Sequence, residues 1–530
     1  MRNWFSKQLE QINPQKAVFR TLALSCGLFA LYFVGIYLYI ALNRIHYPFE
    51  LEWMEGGAVD HVQRILNGYK LYAEPSPDFV PYIYPPLFFY ASAFVAKIVS
   101  LSYLPLRLVS FTASLGLLIL LVLWGKKETG KILYGIISAG FYAATFELSG
   151  SWFDIGRIDS LYIFLLAIGL YLVRFGKQVP SAIMAGFFLT LAWLTKQTAL
   201  AAIPPALLCL WITQPKRGFY FLASAGLLSV GAFLVMNHYY EGWFYYYLFE
   251  VPRGHALYTN LFSYFWRYDL VGPAAIACSF SLIFLITNIF EKDTLKKAFY
   301  FFIPAALLTI SAASRIHSEA YSNVLFPAYA ALAIMTPMAL KRILSDRTRT
   351  AGLRLGPWLG LILMLAQFYQ LYYPAARHMP TAYDLAAGQR LIRVIQSIPG
   401  DVLIPYHGFL STQSGKSPSA QAMGVYDVLR SPDHAGACLI DAYRQQILSK
   451  KYEAVILDDS ESFLTFGNEL KKLYGKKIPL FRMETVFRPR TGSYFRPVNI
   501  VFLKGSESEA KIKALLNQPI SLTDIESHPR

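Results

Sequence analysis

Charge is what this sequence has least of. Only 15% of its 530 residues are Asp, Glu, Lys or Arg, against 55% hydrophobic, whereas a soluble chain carries about a quarter charged residues. Mean hydropathy is +0.37. A charge in mid-bilayer is costly, so long stretches nearly free of it read as solvated by lipid. An ordinary soluble enzyme is excluded. Cysteine is scarce too: Cys26, Cys209, Cys278 and Cys438 show no CxxC or metal-like spacing, so neither a disulfide framework nor a zinc site follows. The C-terminal region has no glycine-rich nucleotide loop. The chain also has no clear internal repeat, unlike many transporters.

What is abundant fits the same picture. The net charge of +16 would suggest nucleic acid in a soluble protein. Here the basic residues fall mainly in short loops between apolar runs, so positive-inside topology and contact with anionic membrane lipids explain them better. Arg2, Lys7 and Lys16 precede an apolar run from Val18 that is too long for a signal peptide and reads as an uncleaved anchor. A span needs roughly 17–25 residues. Apolar runs occur at 18–42, 105–124, 131–149, 158–174, 181–194, 198–213, 219–236, 270–290, 298–313, 323–340 and 355–373, the two around Lys196 being short. The basic loops Lys126–Lys131, Arg174–Lys177, Lys216–Arg217, Lys292–Lys297 and Lys341–Arg354 all thread to the cytoplasm if residues 1–17 lie there. Leu87–Ser100 then cannot cross and is expected as an interfacial helix. The expected fold is an α-helical polytopic membrane protein of about eleven spans over 18–373, with an outer loop and interfacial helices at 43–104.

After Pro374 the composition changes. Asp401–Tyr406, Tyr452–Asp458 and Val498–Leu503 read as buried strands, and Tyr383–Ile398 and Leu439–Lys450 as helices. Residues 374–530 are therefore expected as an extracytoplasmic α/β domain. Phe487–Pro497 (FRPRTGSYFRP), with a turn at Thr491–Ser493, reads as a hairpin whose arginines contact lipid phosphate or glycan or, more simply, keep the surface soluble.

The polar chemistry gathers on the outer side of this threading. The loop after the first span carries Glu50, Glu52 and Glu55, followed by an amphipathic stretch to Leu66. Acids so close to lipid need a reason, although an acid at a helix start also complements the dipole. Ser149–Ser160 (SGSWFDIGRIDS) brings Asp154, Arg157 and Asp159 together, as an ion pair or as a carboxylate site held by its own counter-charge. Lys196, between two short apolar helices, either snorkels to the interface or binds a phosphate. Arg315 is a natural phosphodiester clamp, and His317 beside it is more often a structural hydrogen-bonder than a base. Carboxylates from early loops and cations from later ones suit activation of an acceptor hydroxyl and stabilisation of a departing lipid phosphate.

The motifs in order strengthen this. Trp53-Met54-Glu55-Gly56 is followed by an amphipathic helix ending at Asn67-Gly68, then by Tyr84-Pro85-Pro86-Leu87-Phe88-Phe89-Tyr90, Gly156-Arg157-Ile158-Asp159-Ser160 and Leu194-Thr195-Lys196-Gln197-Thr198. Over residues 18–375 the sequence resembles the GT-C glycosyltransferases, and within them the bacterial glycosyltransferase family 39-like branch related to protein O-mannosyltransferases and aminoarabinose transferases. The resemblance implies a bacterial inner-membrane enzyme with a polyprenyl-phosphate sugar donor, inversion at the anomeric carbon, and a glycan, lipid or protein acceptor on the outer face. It implies Glu55 as general base and Asp159 as the second acid. Lys196, Arg315 and Arg157 would meet the donor phosphate; Asp154, Tyr84 and His317 would line the acceptor side or its surroundings. Two departures stand out. The family's usual Asp-Glu pair is Met54-Glu55 here, so Glu52 shares or takes the role, and a frequent lysine before the proline pair is Tyr84. The sequence leaves the cofactor open: two acids on separate loops can bind a divalent metal or act without one. A flippase for lipid-linked sugars and a non-catalytic envelope scaffold are the rival readings.

Overall fold

The computed structural model describes residues 14–318, 320–345, 357–431, 433–458 and 466–520; the basic N-terminal segment before Pro14, Glu319 and most of the Lys341–Arg354 loop lie outside them. Each apolar run is a helix. In chain order these are α1 (Pro14–Arg44), α2 (Glu55–Leu66), α3 (Leu87–Val99), α4 (Tyr103–Thr129), α5 (Ile132–Ala144), α6 (Asp159–Phe175), α7 (Val179–Trp193), α8 (Gln197–Thr213), α9 (Pro215–Tyr239), α10 (Asn260–Asn288), α11 (Thr294–Arg315), α12 (Ser322–Leu344) and α13 (Pro357–Gln370). Six of them, α1, α4, α9, α10, α11 and α12, are long and apolar enough to cross a membrane. The chain is a multi-pass membrane protein.

Burial explains the arrangement. In α12, 94% of the apolar window is buried inside the protein, against 11% in α9. A helix apolar all round belongs at the centre of such a bundle or against lipid, and these two helices are the two cases. Close approach uses small residues: a Cβ at Gly140 of α5 would lie 2.3 Å from the Cβ of Ala30 in α1, so the two backbones can touch only where glycine stands. Helix α3, at 13 residues, is too short to cross; its first amide donates to the carbonyl of Leu194 at 3.0 Å, which ties it to the end of α7.

The C-terminal region is α/β. Strands β1 (Asp401–Leu403), β2 (Tyr452–Leu457), β3 (Ile478–Pro479) and β4 (Asn499–Phe502) form one sheet in the order β1-β2-β4-β3, with β1 parallel to β2 and the other pairs antiparallel. Side chains alternate faces along a strand. Ala454 and Ile456 point into a core with Leu391, Ile395, Ile512 and Leu516, while Val455 and Leu457 point the other way into the core continuous with the helical bundle. Both faces are covered, so the strands read as unbroken apolar runs.

The hairpin expected at Phe487–Pro497 does not form. No strand lies in that segment, because its amides bond elsewhere: Arg490 and Thr491 both donate to the carbonyl of Leu51, at 2.8 and 3.1 Å. Two of its three arginines do not serve as solubilising charge either, whereas Arg488, among the described residues, bonds only the carbonyl of Glu484 at an exposed position. Arg490 is ion-paired with Asp384, and the buried Arg496 donates to the carbonyl of Val486 at 2.8 Å.

Candidate active site

Three carboxylates were expected around the first outer loop, and they sit in three different environments. Glu55 opens α2 and is fully buried. Its two oxygens accept from Arg107 Nε (3.0 Å) and Nη2 (2.7 Å), from the amide of Gly156 (2.6 Å) and from the amide of Leu51 (2.7 Å). Burial alone would raise its pKa, but Arg107 and the two amides hold it below the usual range. Arg107, in the first turns of α4, also donates to the carbonyls of Tyr47 (2.5 Å) and Phe49 (2.6 Å). The fork of one arginine thus pins the outer loop to α4, and Glu55 completes it.

Glu52 differs. One oxygen accepts from Arg157 Nη1 at 3.0 Å and from the amide of Met54 at 3.2 Å. The other, Oε1, is buried with no hydrogen-bond partner. Burial outweighs Arg157, and with Glu55 and Glu50 nearby the pKa rises to about 8. Arg157 stays charged: burial opposes it, but Glu52, Tyr84 and Asp159 push its pKa up. The guanidinium lies over the ring of Trp152, 4.8 Å from its centroid, and reaches the Tyr84 hydroxyl at 3.4 Å.

Asp159 stands in the first turn of α6. Its Oδ1 accepts from Lys196 Nζ at 2.7 Å and from the Asn323 amide at 3.0 Å, and its Oδ2 is buried and unpartnered. Lys196 follows directly on the turn that ends α7, which is why this lysine reaches inward: it is 8% exposed and lies over the Tyr162 ring. Arg157 and Asp159 belong to one rigid turn. Ser110 of α4 donates to the carbonyl of Arg157, and Ser114 and Ser160 both donate to that of Phe153.

The remaining expected residues lie outside this pair of clusters. Asp154 is locked by Arg44 through two bonds of 2.6 and 2.7 Å and is part of the scaffold. Arg315 is engaged by Asp269 at 2.7 Å and by the carbonyl of Ala320 at 3.0 Å. His317 forms a bridge with Leu257, and burial beside His255 lowers its pKa.

Sequence reasoning missed a second charged cluster. His407, from the C-terminal region, lies between Glu50 (2.5 Å) and Asp458 (3.1 Å). Burial opposes its charge, but the two carboxylates overcome this and push its pKa to about 10. Glu50, burial outweighing the imidazolium, rises to about 7. Arg107, Asn323 and His407 stand in no motif with the acids they bind. The rule that a buried acid needs a cation somewhere could have prompted a search for Arg107 and His407, but the neutral Asn323 carries no such signal. Among the described residues no group of three or more His, Cys, Asp or Glu side chains could hold a metal ion. Glu52 and Asp159 each face a cation instead, a donor set that does not fit a divalent ion.

A multi-span bundle whose first outer loop, α6 turn and α7–α8 link converge under a C-terminal α/β domain is the architecture of this chain. Solved structures share it. The chain is similar to ArnT from Cupriavidus metallidurans in the apo state (12% identity, 91% of this chain and 98% of that chain, TM-score 0.58). It is similar also to the same ArnT bound to undecaprenyl phosphate (12% identity, 89% and 97%, TM-score 0.57). A third is the Archaeoglobus fulgidus oligosaccharyltransferase tethered to an acceptor peptide containing the NVT sequon (12% identity, 87% and 72%, TM-score 0.51). At such identity the likeness establishes the fold. No family model and no curated protein matches the chain.

Proposed function

We propose that this chain is a membrane glycosyltransferase that moves a sugar from a polyprenyl phosphate to an acceptor on the outer face of a bacterial inner membrane, with residues 374–530 on that face. One observation carries the reading: two acid–cation pairs, Glu52–Arg157 and Asp159–Lys196, meet on adjoining elements, and each acid keeps one buried oxygen without a partner. A buried oxygen left unbonded is costly and suits a ligand that completes it. The fold, shared with an ArnT that binds undecaprenyl phosphate, supplies the donor class.

In this reading Glu52, rather than Glu55, is the general base. Its Oε1 takes the proton of the acceptor hydroxyl while that oxygen attacks the anomeric carbon. The bond from that carbon to the phosphate oxygen breaks with inversion, and the electron pair leaves on the lipid phosphate. A base whose pKa sits near working pH is suited to this step. Lys196 meets the phosphate: an ammonium has three N–H donors, and one goes to Asp159. Arg157 holds Glu52 and adds positive potential on the leaving-group side. Glu55 is a positioning residue, since it binds the amide of Gly156, one residue before Arg157.

The test uses purified protein in detergent with radiolabelled polyprenyl-phosphate sugars, following donor consumption and transfer. Wild type consumes one donor; Glu52→Gln loses about a hundredfold or more while staying folded, and Lys196→Met weakens lipid-phosphate binding. If no donor is consumed while labelled lipid binds and flips in liposomes, the flippase reading replaces this one.

A further inference from the structure

Glu52 is covered by the C-terminal domain. The backbone of Gly492 lies so close that a Cβ there would stand 2.7 Å from Glu52 Cγ and 3.0 Å from Oε1. Its φ of +78° is one that glycine adopts freely and other residues rarely, so this contact is built from the one residue type that permits it. The segment Phe487–Pro497 is held there by a few polar anchors. The amides of Arg490 and Thr491 donate to Leu51, the Thr491 hydroxyl donates to the carbonyl of Gly150 and accepts from Trp152 Nε1, and Arg490 pairs with Asp384. Phe495 closes the row against Trp53, 4.5 Å between ring centroids, and Tyr406, 5.1 Å. None of these anchors satisfies Glu52 Oε1. The strap takes the space beside the acid without completing its hydrogen bonding.

We propose that the strap Phe487–Pro497 is an acceptor gate: Gly492 occupies the place of the acceptor hydroxyl at Glu52, and the strap must lift from Leu51 and Gly150 before transfer. This rests on the assignment of Glu52 as the acceptor-side base. It also gives the C-terminal domain a role. An acceptor whose sugar face takes the place of Phe495 against Trp53 and Tyr406 displaces the strap.

The test reads the gate without catalysis. Full-length protein in detergent is treated with a water-soluble carbodiimide and an amine, and labelling of Glu52 is measured by mass spectrometry, together with trypsin cleavage after Arg490. Wild type is protected. Thr491→Val keeps the side-chain volume and removes the hydroxyl that bridges Gly150 and Trp152, so labelling and cleavage rise on the order of tenfold. Thr491→Ser restores protection. If Thr491→Val fails to fold, Arg490→Gln, which loses the Asp384 pair and also the tryptic site, gives the same answer by labelling alone. A Glu52 that labels readily in wild type, or labelling unchanged in both variants, overturns the gate. Labelling that rises while no sugar donor is ever consumed leaves the gate standing and removes the transferase reading instead.

Discussion

Glu55 is either the chemical base or the clasp of the outer loop, and replacing its partner distinguishes the two. Glu55 and Arg107 are both 0% exposed. Removing one member of a buried pair costs about 3–5 kcal/mol, because the other charge is left uncompensated. Arg107→Met also strands the carbonyls of Tyr47 and Phe49, each worth roughly 1 kcal/mol or more, so the loss is about 5–7 kcal/mol. Glu55→Gln keeps the shape but turns an amide N–H toward groups that are all donors, and costs about 2–4 kcal/mol. In the double variant the two losses overlap, leaving a coupling of at least about 2 kcal/mol. The sign with pH is fixed as well. Glu55 has a lowered pKa in the fold, so its stabilisation is present above the ordinary value of 4.5 and is lost as pH falls through the folded value. Denaturation midpoints of the four proteins in mild detergent, at pH 7 and pH 4, give the cycle. A Glu55→Gln protein as stable as wild type that has nonetheless lost donor turnover would refute the clasp and return the base to Glu55.

Two further outcomes follow from the other acids. Donor turnover rises about tenfold per pH unit below 8 and levels above it, because Glu52, with its pKa pushed up to about 8, must be ionised to accept a proton; a flat profile between pH 6 and 9 contradicts that role. His407 has its pKa raised from 6.5 to about 10, so its stabilisation is complete below 6.5 and fades as pH rises through 10. Thermal melts at pH 7 and pH 10 should differ clearly for wild type and much less for His407→Gln, and equal slopes would remove the charged clasp between Glu50 and Asp458.

Spans and strands were legible because their signals are local. Lipid selects for uninterrupted apolar runs, and a sheet covered on both faces selects for strands such as Tyr452–Leu457. The acids and cations of the site were legible as types, since charge near lipid must be explained. Their pairing was not. Arg107 lies 52 residues from Glu55, Asn323 lies 164 from Asp159, and His407 lies 357 from Glu50. Such contacts are made by packing and leave no spacing to read. Arg315 shows the same limit: it has the chemistry of a phosphate clamp, yet Asp269 on α10 takes its guanidinium. The strap was misread because its backbone partners, Leu51 and Gly150, lie in other loops, and an arginine-rich turn looks the same in sequence whether it faces water or a carboxylate.

The pairing itself explains how a site of this kind survives next to lipid. An isolated buried charge costs several kcal/mol, so Glu52 and Asp159 must each be neutralised, yet full neutralisation would leave nothing to react. Supplying each acid's cation from one edge resolves the conflict: Arg157 and Lys196 bind Oε2 and Oδ1 and leave Oε1 and Oδ2 free. That works only if the turn carrying Arg157 cannot shift, since a small displacement would let the guanidinium take both oxygens. The Gly156 amide on Glu55, the serines of α4 under the turn and the Arg44–Asp154 lock are what prevent it. The acids therefore divide by environment: Glu55 and Asp154 have every oxygen bonded and hold the frame, whereas Glu52 and Asp159 each keep one oxygen unbonded, and that open oxygen is why the proposed proton transfer is assigned to Glu52 and not to Glu55.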